Sequence, residues 1–110
     1  THRQLRRMMK LYMVYRLDRD DGRAAAIREA TRPAHRAYMD QFAARVRLGG
    51  PVLDAAGNAC GGLMLIEAED EASVRAMVAD DPFELAGLSA RIDIHPFRWQ
   101  TQRPADLPPL

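Results

Sequence analysis

Two residues in this sequence could between them hold and move a proton: His35, in Arg32-Pro33-Ala34-His35, and Asp81, in Asp80-Asp81-Pro82. A histidine can take or release a proton near neutrality, because its ordinary pKa is about 6.5. A carboxylate hydrogen-bonded to one imidazole nitrogen fixes the ring's orientation and tautomer, leaving the other nitrogen as a general base. Each residue also has a plainer reading. His35 can be a satisfied structural histidine, and Asp81 an ordinary Asp-Pro turn starter. Asp81 nevertheless falls just past a predicted helix, at the dipole end that disfavours negative charge, and that placement asks for a partner.

The other reactive side chains offer less. His95 alternates with Asp93 and Arg91 on the polar side of a predicted strand, and His2 lies in the basic opening segment. Cys60 is the single cysteine, so neither a disulfide framework within the chain nor a cysteine-based zinc site is available. Its place in a strand suits a small core residue better than a nucleophile. Without histidines at i, i+4, no metal site is expected. Gly49-Gly50 and Gly61-Gly62 lack phosphate-loop spacing and suit bulges or close approach of a ligand to the backbone. No cofactor is expected.

The elements that must position the pair follow from hydropathy patterning. Lys10 to Leu17 is a strand apolar on both faces, which implies a central place in a sheet. A helix from Arg23 is expected to break at Thr31-Arg32-Pro33 and restart at Pro33, since proline suits a first helical turn. His35 then sits in that turn, on a stripe with Met39, Phe42 and Ala43. A second strand from Arg45 to Leu53, bulged at its glycines, precedes the Asp54–Asn58 loop. Ala59 to Glu67 reads as a second central strand, then a helix with acidic residues at its start, a half-turn after Pro82, and an edge strand over Arg91–Phe97.

The order β, interrupted α, β, β, α, β predicts an α+β fold with a four-stranded antiparallel sheet and both helices on one face. Tyr12, Val14 and alternate residues of Leu63–Ile66 are then expected on the bare face, which a second copy would cover. A homodimer follows as an expectation. Residues 1–8 read as a disordered leader or an expression remnant, 9–100 as the domain, and 101–110 as an extended, poorly ordered tail. The 16 basic and 15 acidic residues nearly cancel, so no strong field draws in nucleic acid, and no apolar run is long enough to span a membrane. A cytoplasmic protein is expected.

Taken in order, Leu11-Tyr12-Met13-Val14-Tyr15, Arg32-Pro33-Ala34-His35, Gly50-Pro51, Gly61-Gly62, Asp81-Pro82-Phe83 with Ala86-Gly87, and His95-Pro96-Phe97 resemble the successive signatures of the YciI-like (YCII-related) family. The resemblance implies a ferredoxin-like fold of the dimeric α+β barrel group. It also implies a pocket near the sheet and the dimer interface, and a catalytic dyad of His35 and Asp81. Some relatives carry a hydroxyl residue beside the third-strand glycine, where this chain has Gly62.

The function so implied is a cofactor-free lyase or isomerase, dehydrochlorinase-like, that abstracts a proton from a small cyclic or aromatic compound. Arg32 would hold negative charge, and Tyr12, Tyr15, Gly62 and Phe83 would line the substrate site. The alternative is a binding or regulatory module that uses the same pocket without turnover.

Overall fold

The computed structural model describes residues 9–107. The expected leader therefore lies outside the described residues. Four strands, β1 (Lys10–Asp18), β2 (Val46–Leu53), β3 (Ala59–Ala68) and β4 (Ser89–Pro96), form one antiparallel sheet in the order β2-β3-β1-β4. The two strands apolar on both faces, β1 and β3, take the centre. Helices α1 (Ala24–Asp40), α2 (Glu71–Ala79) and the short α3 (Pro82–Leu85) complete a ferredoxin-like α+β arrangement.

Register decides which residues share a face. Tyr12 pairs with Ile66, and Val14 with both Met64 and Ile94. These side chains form the core with Val74, Met77 and Val78 of α2. Tyr12 and Val14 are therefore under the helices rather than on the bare face where the sequence reading put them. Both faces of β1 are apolar, and alternation says which residues travel together without saying which set the helices cover.

The face without helices carries Leu11, Met13, Tyr15 and Leu17 of β1, with Leu63 and Leu65 of β3. Leu65 and Glu67 are buried even there. Arg47 approaches Glu67 and also pairs with Asp106 at 2.6 Å, a contact that ties Asp106 to the sheet. Leu17, Leu48 and Leu63 remain about two-fifths exposed (39%, 40% and 40%).

Two local expectations are corrected. α1 runs through Pro33 without a break over 17 residues. Proline there removes one backbone hydrogen bond, but side chains on both sides of it are tied down. Arg28 holds Asp18, and the Tyr38 hydroxyl donates to the Met77 carbonyl at 2.6 Å. Tertiary contacts outweigh the local preference. The irregularities of β2 fall between Val46 and Leu48 and between Val52 and Leu53, flanking Gly49-Gly50 rather than at it.

α2 begins as the sequence requires. Asp70 caps it by accepting from the Ser73 N–H at 2.8 Å, and Glu71 lies in its first turn.

Candidate functional site

α1 has no fully buried residue, although it lies across the sheet. The space beneath it is a cavity of about 410 Å³. Its floor is the helix-side face of β1 and β3, with Val14, Arg16, Gly62 and Met64, and Gly49–Pro51 of β2 form one rim. The roof is a single stripe of α1: Arg28, Arg32, His35, Arg36 and Met39, spaced so that all face the same way. Such a volume falls within the range of small-molecule sites.

His35 stands at one end of this space. It lies in the second half of α1 and not in a first turn, as a consequence of the unbroken helix. Its Nδ1 is 2.8 Å from Asp81 Oδ1 and 3.0 Å from Oδ2, and its ring stacks on Phe83 with centroids 4.0 Å apart and planes 18° apart. The residues 46 positions apart in sequence are thus in hydrogen-bond contact.

Asp81 is fully buried and held from several directions. It caps α3, accepting from the Phe83 N–H at 2.9 Å, with Pro82 at the first helical position. The carboxylate therefore follows the C-terminus of α2 and at the same time sits at the favourable N-terminal end of α3. Arg16 Nη1 donates to Asp81 Oδ2 at 2.8 Å and to Glu84 Oε2 at 2.9 Å, and Ser89 Oγ donates to the same Glu84 oxygen at 2.7 Å. Burial by itself would raise the Asp81 carboxyl. The hydrogen bonds from His35 and the Phe83 N–H, with the charge of Arg16, outweigh it and hold Asp81 below the ordinary carboxylate value.

The tautomer follows. An ionised carboxylate accepts hydrogen bonds and donates none, so His35 Nδ1 must carry the proton it shares with Asp81. In the neutral ring Nε2 is then the basic nitrogen. Among the described residues no hydrogen bond to Nε2 is found. An oriented imidazole with a free basic nitrogen at a cavity wall can remove a proton from a bound molecule.

Of the other residues expected at the site, Arg32, Gly62 and Phe83 line the cavity. Tyr12 does not, since it is buried in the core at 4% exposure. Tyr15 does not either, because pairing with Leu63 and Asp93 puts it on the opposite face of the sheet. A tyrosine next to a strand's polar end reads as a pocket residue only until the covered face is known. Gly62 presents open space, with the nearest atom to an added Cβ 3.9 Å away. A Cβ at Gly61 would instead collide with the backbone carbonyl of Arg16.

Sequence reasoning missed Arg16, Arg28, Arg36 and Glu84. Arg28 forks onto Asp18 at 2.7 and 2.8 Å, donates to the Gly61 carbonyl at 3.0 Å and lies 5.6 Å from the Phe83 ring centre. The Arg16 pairs span 65 and 68 positions, beyond any local pattern. One signal was available for the helix arginines: Arg28, Arg32 and Arg36 recur every fourth residue, a like-charged ladder that an isolated helix would not favour. Among the described residues no cluster of three or more histidine, cysteine or acidic side chains could hold a metal ion.

Against solved structures the chain is similar to 5-chloro-2-hydroxyhydroquinone dehydrochlorinase from Burkholderia phenoliruptrix AC1100, determined in complex with 2,5-dihydroxybenzoquinone. The two share 34% identity over 82% of this chain and 93% of that one, with a TM-score of 0.71. An uncharacterized NIPSNAP-like domain protein from Burkholderia xenovorans, at 18% identity and a TM-score of 0.56 over 94% of this chain and 95% of that one, shares the fold alone. No curated protein matches the sequence. The model of the YCII-related domain matches residues 10–98, every strand and helix included, and this chain belongs to that family.

Proposed function

We propose that this protein is a cofactor-free lyase or isomerase in which His35 Nε2 removes a proton from a small cyclic or aromatic substrate. The observation that carries the reading is the contact of His35 Nδ1 with the buried, ionised Asp81 at the wall of a cavity. Asp81 orients the ring and stabilises the imidazolium that forms. The electron pair left by the proton either expels a leaving group from a neighbouring carbon, or the proton returns at another carbon. The first course is elimination and the second isomerisation. The similarity to a dehydrochlorinase supports the first.

Phe83, stacked on His35, fixes the imidazole plane, and Gly62 leaves the floor open for a planar ring. Arg32 supplies positive charge toward the substrate. Gly62 also means that no hydroxyl stands at that point, so the proton transfer rests on His35. The working unit in this proposal is a homodimer, with Leu17, Leu48 and Leu63 of the bare sheet face against a second copy. No helix among the described residues is long and apolar enough to cross a membrane.

The test is a screen of small phenols, halogenated hydroquinones and lactones for turnover by the wild type and by His35→Gln. Turnover should fall by about a hundredfold or more in the variant while its circular dichroism is unchanged. A compound that binds unmodified, with affinity untouched by His35→Ala, would make the protein a binding module instead.

A further inference from the structure

Four arginines face the cavity, and they are not equivalent. Arg16 is committed to Asp81 and Glu84, and Arg28 to Asp18 and the Gly61 carbonyl. Both are largely buried, with 12% and 15% of the side chain exposed. Their charge is matched by carboxylates already in the fold. Arg32 and Arg36 differ. Arg32 meets Glu29, itself 82% exposed, in an i,i+3 surface pair that water screens and that contributes little. Arg36 is exposed, and among the described residues no hydrogen bond or ion pair to it is found.

Arg32 and Arg36 lie about one helical turn apart along α1 with His35 between them in sequence, and all three line the cavity. Like charges at i, i+4 repel one another in an isolated helix. Paired guanidinium groups beside one cavity present up to two forks of N–H donors, the geometry that suits a planar carboxylate.

We infer that Arg32 and Arg36 form an anion subsite, and that the substrate class is a small ring bearing a carboxylate about one helical turn from the proton that His35 removes. The inference rests on the proposed reading of the cavity and narrows it. The arginines bind the carboxylate and carry no proton, so Arg36 sets specificity and affinity while His35 carries out the chemistry. Because Arg32 and Arg36 are open to solvent, binding falls as salt rises.

The experiment compares gentisate with hydroquinone, the same ring with and without a carboxylate, by NMR-detected titration of the wild type, Arg36→Gln, Arg32→Gln and His35→Gln. Gentisate should bind about tenfold more tightly than hydroquinone to the wild type, the ratio expected from one charge-assisted hydrogen-bonded pair. Arg36→Gln should erase most of that preference without weakening hydroquinone, Arg32→Gln should also erase most of it, and His35→Gln should keep it. Arg36 is exposed and has no partner to lose among the described residues, so its variant should fold as the wild type does. Equal binding of the two rings, or a preference that survives both arginine substitutions, overturns the subsite. In that case hydroquinone binding that shifts His35 signals would leave the cavity reading standing. Failure of both rings to bind would overturn the two together.

Discussion

Asp81 meets three donors with two oxygens: His35 and the Phe83 N–H at Oδ1, and Arg16 at Oδ2. An asparagine has one acceptor edge and one donor edge, so Asp81→Asn must point N–H groups either at Arg16 or at the His35–Phe83 pair. Removing one member of a buried charged network in this way should destabilise the protein by about 3 kcal/mol, read from urea unfolding at neutral pH. The pH dependence has a definite sign. Asp81 is held below its ordinary value when folded, so its stabilisation is full above the unfolded carboxyl value of about 4 and is lost as pH falls through the folded one. Asp21, held down to about 2 by its hydrogen bond with Arg19, contributes to the same acid limb. The gap between wild type and Asp81→Asn should therefore hold from neutral pH down to about pH 4 and narrow as pH falls further toward the folded Asp81 value. A gap that stays constant as pH falls below about 4 would show that the fold does not hold Asp81 below its ordinary value. Asp81 was legible as a candidate because Pro82 marks the start of α3, whereas Pro33, which drew attention to His35 two residues on, marks no boundary in the structure. Arg16 and Glu84 were not legible. The contacts that give them a role join strands and helices more than sixty positions apart.

At the scale of elements, two adjacent glycines in β3 should behave in opposite ways. Gly61→Ala forces a methyl into the Arg16 carbonyl oxygen, at the strand that also carries the Arg16 side chain. It should destabilise by about 2 kcal/mol, as overpacking does, and disturb the His35 environment. Gly62→Ala meets nothing closer than the Gly50 carbonyl oxygen at 3.9 Å, an ordinary contact, and should leave thermal stability unchanged or slightly raised, because glycine is the poorer strand residue. Thermal unfolding of the two variants side by side measures the difference. The same reasoning explains why the glycine pairs gave an ambiguous signal in the sequence: the pattern marks both positions alike, and the β1–β3 register separates them. The expected break in α1 failed for a comparable reason. Pro33 carries a real local penalty, but Arg28, His35 and Tyr38 anchor the helix on both sides of it to β1, Asp81 and α2. Pro33→Ala should accordingly raise stability by about 1 kcal/mol without moving the helix ends.

For the whole molecule, the element order and the central strands followed from apolar runs and turn residues, whereas the covered face of the sheet did not. β1 offers Tyr12 and Val14 on one side and Leu11, Met13, Tyr15 and Leu17 on the other, and either set could have faced the helices. The choice leaves Leu17, Leu48 and Leu63 toward solvent in the single chain. If that face joins two copies, Leu48→Glu should shift sedimentation from dimer to monomer, since a carboxylate there would have to be buried unpaired. A wild type that sediments as a monomer would remove the dimer from the account. The sheet, the helix above it and the capped turn at Asp81 together hold one imidazole against a buried carboxylate at the wall of the cavity, with Nδ1 toward Asp81. The most direct test of that claim is the tautomer of His35, read from imidazole nitrogen shifts by NMR and assigned with His35→Gln. Neutral His35 should carry its proton on Nδ1 and leave Nε2 unprotonated, with the preference weakened in Asp81→Asn. A neutral His35 protonated on Nε2, the tautomer free histidine prefers, would contradict it.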